Sequence, residues 1–228
     1  MDDLPLFTWQ RQALEAAQGR TSYGLFSDPG TGKTHCALRI AQRWTQSALV
    51  VCPLSVKEQW AREAERVGIA TDVYHYEQLR NVNFFRKIAD KLRGGTTTFV
   101  LDESHRIKSP STLTTKLALK LAPVAVNRLA LTGTPTANSP ADLWTQFRFL
   151  QPERKIGTYR DFQSEYIVEL PASHPLRKRI SGRPFLPQKD RQGKLLLKNI
   201  DTLKRRVDRK STRLNSSHIP LSRMPSSA

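Results

Sequence analysis

Short runs of apolar and β-branched residues alternate with amphipathic stretches through the first 150 positions of the chain. The runs at 23–26, 48–52, 72–76, 97–101 and 128–131 carry few charges. A strand covered on both faces needs no polar alternation, so these read as strands of a sheet buried on both sides. Between them, residues 10–18, 33–44, 56–67, 84–92, 113–121 and 141–150 repeat apolar positions at helical spacing. Strand and helix in steady alternation predict an α/β domain over 1–150, with a mostly parallel sheet flanked by helices. Beyond residue 150 the rhythm stops, and proline, arginine and lysine become frequent. Helices are expected at 159–167 and 199–207, with an extended loop over 171–193. Residues 151–210 thus read as a basic, partly helical extension. Residues 211–228 are serine-rich without periodicity and are expected to be disordered or non-native. The sequence shows no internal repeat.

Composition narrows this picture. At 228 residues, the chain has room for one substantial core and a small appendage. No apolar run approaches the roughly 18–20 residues that span a bilayer, and the start at Met1, Asp2 and Asp3 lacks the basic and apolar character of a secretory signal. A cytoplasmic protein without a membrane partner is expected, in a bacterial or phage-like setting. Cys36 and Cys52 lie in apolar contexts and read as buried free thiols. The net charge of +17 is uneven. Residues 1–150 hold 19 lysines and arginines against 13 carboxylates, and residues 151–228 hold 18 against 7. Such an excess points to a polyanion, for which nucleic acid is the usual candidate.

Three segments carry candidate chemistry. The first is Ser27, Asp28, Pro29, Gly30, Thr31, Gly32, Lys33 and Thr34, between a predicted strand and a predicted helix. Glycines there allow backbone N–H groups to turn towards phosphate oxygens, and the helix N-terminus adds partial positive charge. Lys33 is placed to reach the β- and γ-phosphates of ATP, and the Thr34 hydroxyl to ligate Mg²⁺. Ser27 stands where the usual pattern has its first glycine. The second segment is a strand ending on Asp102, Glu103, Ser104 and His105. Asp102 suits Mg²⁺, and Glu103 suits a general base acting on water. The third is a strand ending in Thr132, Gly133, Thr134 and Pro135, a hydroxyl-rich turn able to bond the acidic segment and a neighbouring lobe.

In order and spacing the chain resembles helicase superfamily two, and within it the Swi/Snf-type DNA translocases. The resemblance rests on Leu6, Trp9 and Gln10 ahead of the phosphate loop, on Pro53, Gln59 and Trp60 after the second strand, and on the run from Asp102 to His105. It continues through Thr132 to Pro135, then Asn138, Asp142, Leu143, Trp144, Phe149 and Leu150, and on to Gly157, Thr158, Tyr159 and Phe162. It implies a RecA-like ATP-binding lobe in which Gln10 reads the adenine edge and His105 couples the acidic segment to a partner lobe. The segment after the second strand would contact the DNA backbone. It further implies ATP and Mg²⁺ as cofactors, duplex DNA as a backbone-directed partner, and a second RecA-like lobe that completes the ATP site. The segment 199–206 is similar to the family's stretch just before that second lobe, which is expected to lie outside this chain. A restriction- or packaging-type motor, or a lobe that binds ATP or DNA without turnover, is the alternative reading. Trp60 and Trp144 are expected to pack helices on the sheet, Tyr74, His75 and Tyr76 to lie in a strand, and His35 to be exposed.

Overall fold

The computed structural model describes residues 6–136, 139–176 and 185–208. Asn138 and the stretch 211–228 lie outside the described residues. The apolar runs form five strands: β1 (Ser22–Phe26), β2 (Ser47–Cys52), β3 (Ala70–His75), β4 (Thr97–Leu101) and β5 (Asn127–Thr132). They make one sheet in the order β1-β5-β4-β2-β3, and every pairing is parallel. Val50, for example, is in register with Val73 on one side and Val100 on the other.

Side chains alternate across this sheet because successive residues of a strand point to opposite faces. Ala48, Val50 and Cys52 join one core, and Leu49 and Val51 join the other. On the first face lie α1 (Thr8–Ala17), α2 (Lys33–Trp44) and α3 (Lys57–Val67), which contribute Leu14, Leu38 and Trp60. On the second lie α4 (Val82–Arg93), α5 (Leu113–Leu121) and α6 (Leu143–Leu150). The same second core takes Phe162 and Tyr166 of α7 (Tyr159–Tyr166) and Leu203 and Val207 of α8 (Ile200–Asp208). Burial of this extent supplies the main stabilising free energy, at roughly 25 cal/mol per Å² of apolar surface.

Local signals set the element ends. Asn81 Oδ1 accepts from the backbone N–H groups of Asn83 and Phe84, so α4 begins two residues before its apolar periodicity. Gly68 ends α3 in the left-handed conformation at φ 73°, where its N–H returns to Ala64 O at 2.9 Å. Thr158 and Asp161 form a reciprocal capping box that starts α7.

Four expectations change. The strand expected at 72–76 ends at His75, and Tyr76 opens a 3₁₀ turn, Tyr76–Arg80, that carries its hydroxyl inward. Of the stretch expected as an extended loop over 171–193, residues 177–184 lie outside the described residues, and the part around Gln188 pairs with the chain on either side. Val168 N donates to Leu196 O, Leu196 N to Gln188 O and Gln188 N to Val168 O, at 2.8, 2.9 and 2.8 Å. These bonds satisfy backbone groups that proline-rich sequence alone leaves open. His35 is not exposed. Helix α2 lies against α3, leaving its side chain 12% accessible and Nδ1 2.7 Å from Glu63 Oε1. Trp60 is core as expected, whereas Trp144 is half-buried, edge-on to Tyr159, with Nε1 donating to Gly157 O.

Candidate functional site

In a parallel sheet, loops at the carboxyl ends of neighbouring strands open on one edge. Strands β1, β5 and β4 are adjacent. The loops that follow them are the three segments singled out above, so the strand order brings them together across 100 residues of sequence.

The candidate phosphate loop, residues 27–34, joins β1 to α2. Gly30 and Gly32 adopt φ of 78° and 80°, the left-handed region that glycine enters without a Cβ clash. An added Cβ on Gly30 would meet nothing within 4 Å, which leaves an open cradle above the N-terminus of α2. At Gly32 a Cβ would come within 2.8 Å of Gln10 Nε2. Gln10 is buried; its Nε2 donates to Gly32 O at 3.2 Å and its Oε1 accepts from Phe7 N at 2.9 Å. This glutamine therefore braces the loop from behind, with a second N–H hydrogen and a second lone pair to spare. Ser27 and Thr31 hydroxyls lie 3.0 Å apart, and Thr31 donates to Asp28 O at 2.8 Å, a knot that tightens the turn around Pro29. Lys33 donates to the carbonyls of Ser27 and Asp28, both at 2.8 Å. Burial lowers its pKa, and the charges of Glu103, Asp102 and Asp28 oppose that shift. Thr34 follows in the first turn of α2.

Asp102 and Glu103 stand at the end of β4 in different surroundings. Asp102 is 8% exposed. Its Oδ2 accepts from Trp60 Nε1 at 2.8 Å and its Oδ1 from Glu103 N at 2.9 Å. Its backbone carbonyl accepts from Tyr76 Oη at 2.7 Å. Burial raises its carboxyl above the usual range, and the Trp60 bond only partly counters this. Glu103 has φ 49°, unusual for a residue with a side chain. It points its carboxylate the other way, 3.2 Å from His105 Nδ1, and accepts from Thr132 Oγ1 at 3.4 Å. The hydrogen bond with His105, then the positive charges nearby, hold this carboxyl below its usual range.

The turn after β5 closes the arrangement. Thr132 Oγ1 lies 2.9 Å from His105 Nδ1 and accepts from Thr134 N at 3.0 Å. Gly133 packs on the phosphate loop; a Cβ there would meet Pro29 Cδ at 2.9 Å and Ser27 O at 3.4 Å. Gln146, which no motif marks, buries its amide between two of the segments. Its Oε1 accepts from Ser104 Oγ at 2.9 Å and its Nε2 donates to Pro135 O at 2.8 Å. Sequence reading missed Tyr76 and Gln146 as site residues, and it singled out Trp60 without its bond to Asp102. Cys36 and Cys52 are buried and free, and burial pushes both thiols up to about 12.

All the expected site residues that the structure describes thus converge on one sheet edge. Among the described residues, no group of three or more His, Cys, Asp or Glu side chains is placed to hold a metal unaided. Also among the described residues, no helix is long and apolar enough to cross a membrane.

A family model described as SNF2-related domain matches residues 73–207, more than half the chain. The SWI/SNF-related matrix-associated actin-dependent regulator of chromatin subfamily A-like protein 1 homolog of Caenorhabditis elegans is 29% identical over 71% of this chain and 26% of its own length. The DNA repair protein RAD5 of Yarrowia lipolytica is 32% identical over 57% of this chain and 17% of its own. The chain therefore spans about a quarter or less of these relatives. The Sulfolobus solfataricus SWI2/SNF2 ATPase core, solved in complex with dsDNA, superposes with a TM-score of 0.57 at 23% identity. It covers 89% of this chain and 42% of that one, and the likeness is one of fold. The expected bacterial or phage-like setting finds no support among these proteins.

Proposed function

The chain belongs to the SNF2-related domain family, and on that premise we propose that it is the ATP-binding lobe of a DNA-dependent ATPase that moves along duplex DNA with a second lobe. One observation carries this reading. The open glycine cradle, the Lys33 ammonium, the buried Asp102 and the Glu103–His105–Thr132 cluster share one sheet edge. The dsDNA of the similar Sulfolobus core supports duplex DNA as the track.

Each group then has a task. The backbone N–H groups around Gly30, Thr31 and Gly32 and the start of α2 hold the phosphates. Lys33 leaves the Ser27 and Asp28 carbonyls to pair with them, and its partial burial means little water has to be displaced. Thr34 and Asp102 would hold Mg²⁺, with Trp60 and Tyr76 fixing where Asp102 points. Such an ion would supply neutralising charge to the phosphates. Glu103, a partly exposed carboxylate at the end of β4, accepts the proton of the attacking water. His105, Thr132 and Thr134 relay the state of the site to a neighbouring lobe, and Gln10 reads the base. Residues 1–150 make up the lobe proper, and the basic extension over 151–210 leads towards the second lobe.

The test is nucleotide binding by the chain itself. Lys33→Ala deletes the side-chain cation aimed at the phosphates and is expected to abolish binding of a fluorescent Mg·ATP analogue. Titration curves that overlay for wild type and variant would sink the assignment.

A further inference from the structure

A cavity of about 470 Å³ lies away from the ATP-site groups. Arg128, at the start of β5, donates its Nε to Leu150 O, which ties the end of α6 to the sheet edge opposite the phosphate loop. Beside that junction, residues of α6, the turn after it, α7 and α8 line this open cavity. Its charge is one-sided: Arg154, Lys155, Arg205 and Arg206 line it with a single carboxylate, Glu165.

That carboxylate is already engaged, 3.7 Å from Arg206. Arg206 also donates to Tyr166 Oη at 3.3 Å, and its guanidinium lies 5.3 Å from the ring centres of both Phe147 and Phe162. This cation is therefore fixed in place before any ligand arrives. Arg154, Lys155 and Arg205 are exposed at the rim, and among the described residues none of them has a carboxylate within ion-pair distance. Folding gathers like charges here from α8 and from a turn about 50 residues earlier, an arrangement that repels itself unless an anion enters. Guanidinium forks match phosphate oxygens in bidentate geometry. The volume falls in the range of roughly 300–1,000 Å³ typical of small-molecule sites, so there is room for more than one phosphate group.

We infer that this cavity binds phosphate esters or polyphosphates carrying more than one negative charge, independently of the ATP site. The experiment uses the 228-residue chain carrying Lys33→Ala, which removes the phosphate loop's cation, and inorganic tripolyphosphate as the probe. Calorimetric titration is expected to show binding, and Arg154→Gln, Lys155→Gln and Arg205→Gln together are expected to weaken it about tenfold or more, the factor that a lost charge-assisted bond carries. No binding in the Lys33→Ala chain, or equal binding with and without the three substitutions, overturns the inference. All three positions are exposed, and matching melting curves check the fold; if the triple variant melts early, Arg154→Gln and Arg205→Gln singly carry the same comparison. A short DNA duplex in parallel identifies the source. A weaker, less salt-dependent duplex affinity in the triple variant assigns the site to backbone phosphates. An unchanged duplex affinity beside lost tripolyphosphate binding assigns it to a free phosphorylated molecule.

Discussion

Two adjacent carboxylates, Asp102 and Glu103, end the same strand and differ in direction of pKa shift. The difference comes from what each touches. Asp102 turns into the core beneath Trp60 and Tyr76, where burial dominates. Glu103, thrown outward by its left-handed backbone, meets His105 and Thr132. The partly exposed Glu103 is the one that water can reach and so suits a base, and the buried Asp102, held by Trp60, suits a cation at a fixed point. Glu103→Gln keeps the shape and removes the basic oxygen. In a protein carrying both lobes it is expected to bind Mg·ATP as before while steady-state turnover falls roughly 10²–10⁴-fold, the span for a lost general base. A variant that loses nucleotide binding but retains its rate would reverse the roles assigned to the two carboxylates. The pH dependence has a definite sign. Because the folded pKa of Glu103 is depressed, its contribution to stability is present above the ordinary value of 4.5 and is lost as pH falls through the folded one.

At the scale of elements, each motif was legible because a strand, its loop and the next helix are local in sequence. The phosphate loop, the acidic end of β4 and the turn after β5 could all be placed that way. The braces between them were not legible, because each joins elements far apart in the chain. Trp60 on α3 and Asp102 after β4 are 42 residues apart, as are Ser104 and Gln146 on α6. Before strand order is known, nothing ties the Trp60 indole to Asp102, and nothing marks the glutamine in α6. The basic cavity was hidden for the same reason, since α6, α7 and α8 meet only in three dimensions. The Trp60 brace has a signature that packing alone lacks. Trp60→Phe keeps most of the ring and removes the N–H donor to Asp102, a bond to a charged group worth about 1.5–3 kcal/mol. Asp102 has a raised folded pKa, so the folded state already loses stability as pH rises from 3.8 through that value. Without the Trp60 donor the folded value climbs further and the loss grows. Urea unfolding is therefore expected to show the full cost of Trp60→Phe at neutral pH and a smaller one in acid. A cost that does not change with pH would mean that the indole only fills space.

At the scale of the chain, the net charge of +17 and the proposed ATP site have separate consequences. Charge of this size directed at a phosphate backbone makes binding salt-dependent, with a log–log slope of about −0.9 per duplex phosphate neutralised. Sequence preference should be slight, because phosphates carry no base identity. Hydrolysis asks for more. In the motor proposed here the nucleotide lies between two lobes, and a cation from the second faces the charge that develops on the transferred phosphoryl group. In related phosphate-loop enzymes an arginine supplied from outside the loop is worth about 10³–10⁵ in rate. The present chain covers 42% of the similar SWI2/SNF2 core. Its described site groups come from the strand ends and helices of one sheet. Alone, the 228-residue chain is expected to bind Mg·ATP and to hydrolyse it barely above background, without stimulation by DNA. Lys33, Thr34, Asp102 and Glu103 are already in position, so joining a native second lobe should raise turnover by several orders of magnitude and make it respond to duplex DNA. Rates of phosphate release, with and without duplex, decide the matter. Brisk, DNA-stimulated hydrolysis by this chain alone would refute the two-lobe argument, unless two copies lend each other an arginine. That exception has its own mark: specific activity would climb with protein concentration, whereas a self-sufficient lobe would keep it constant.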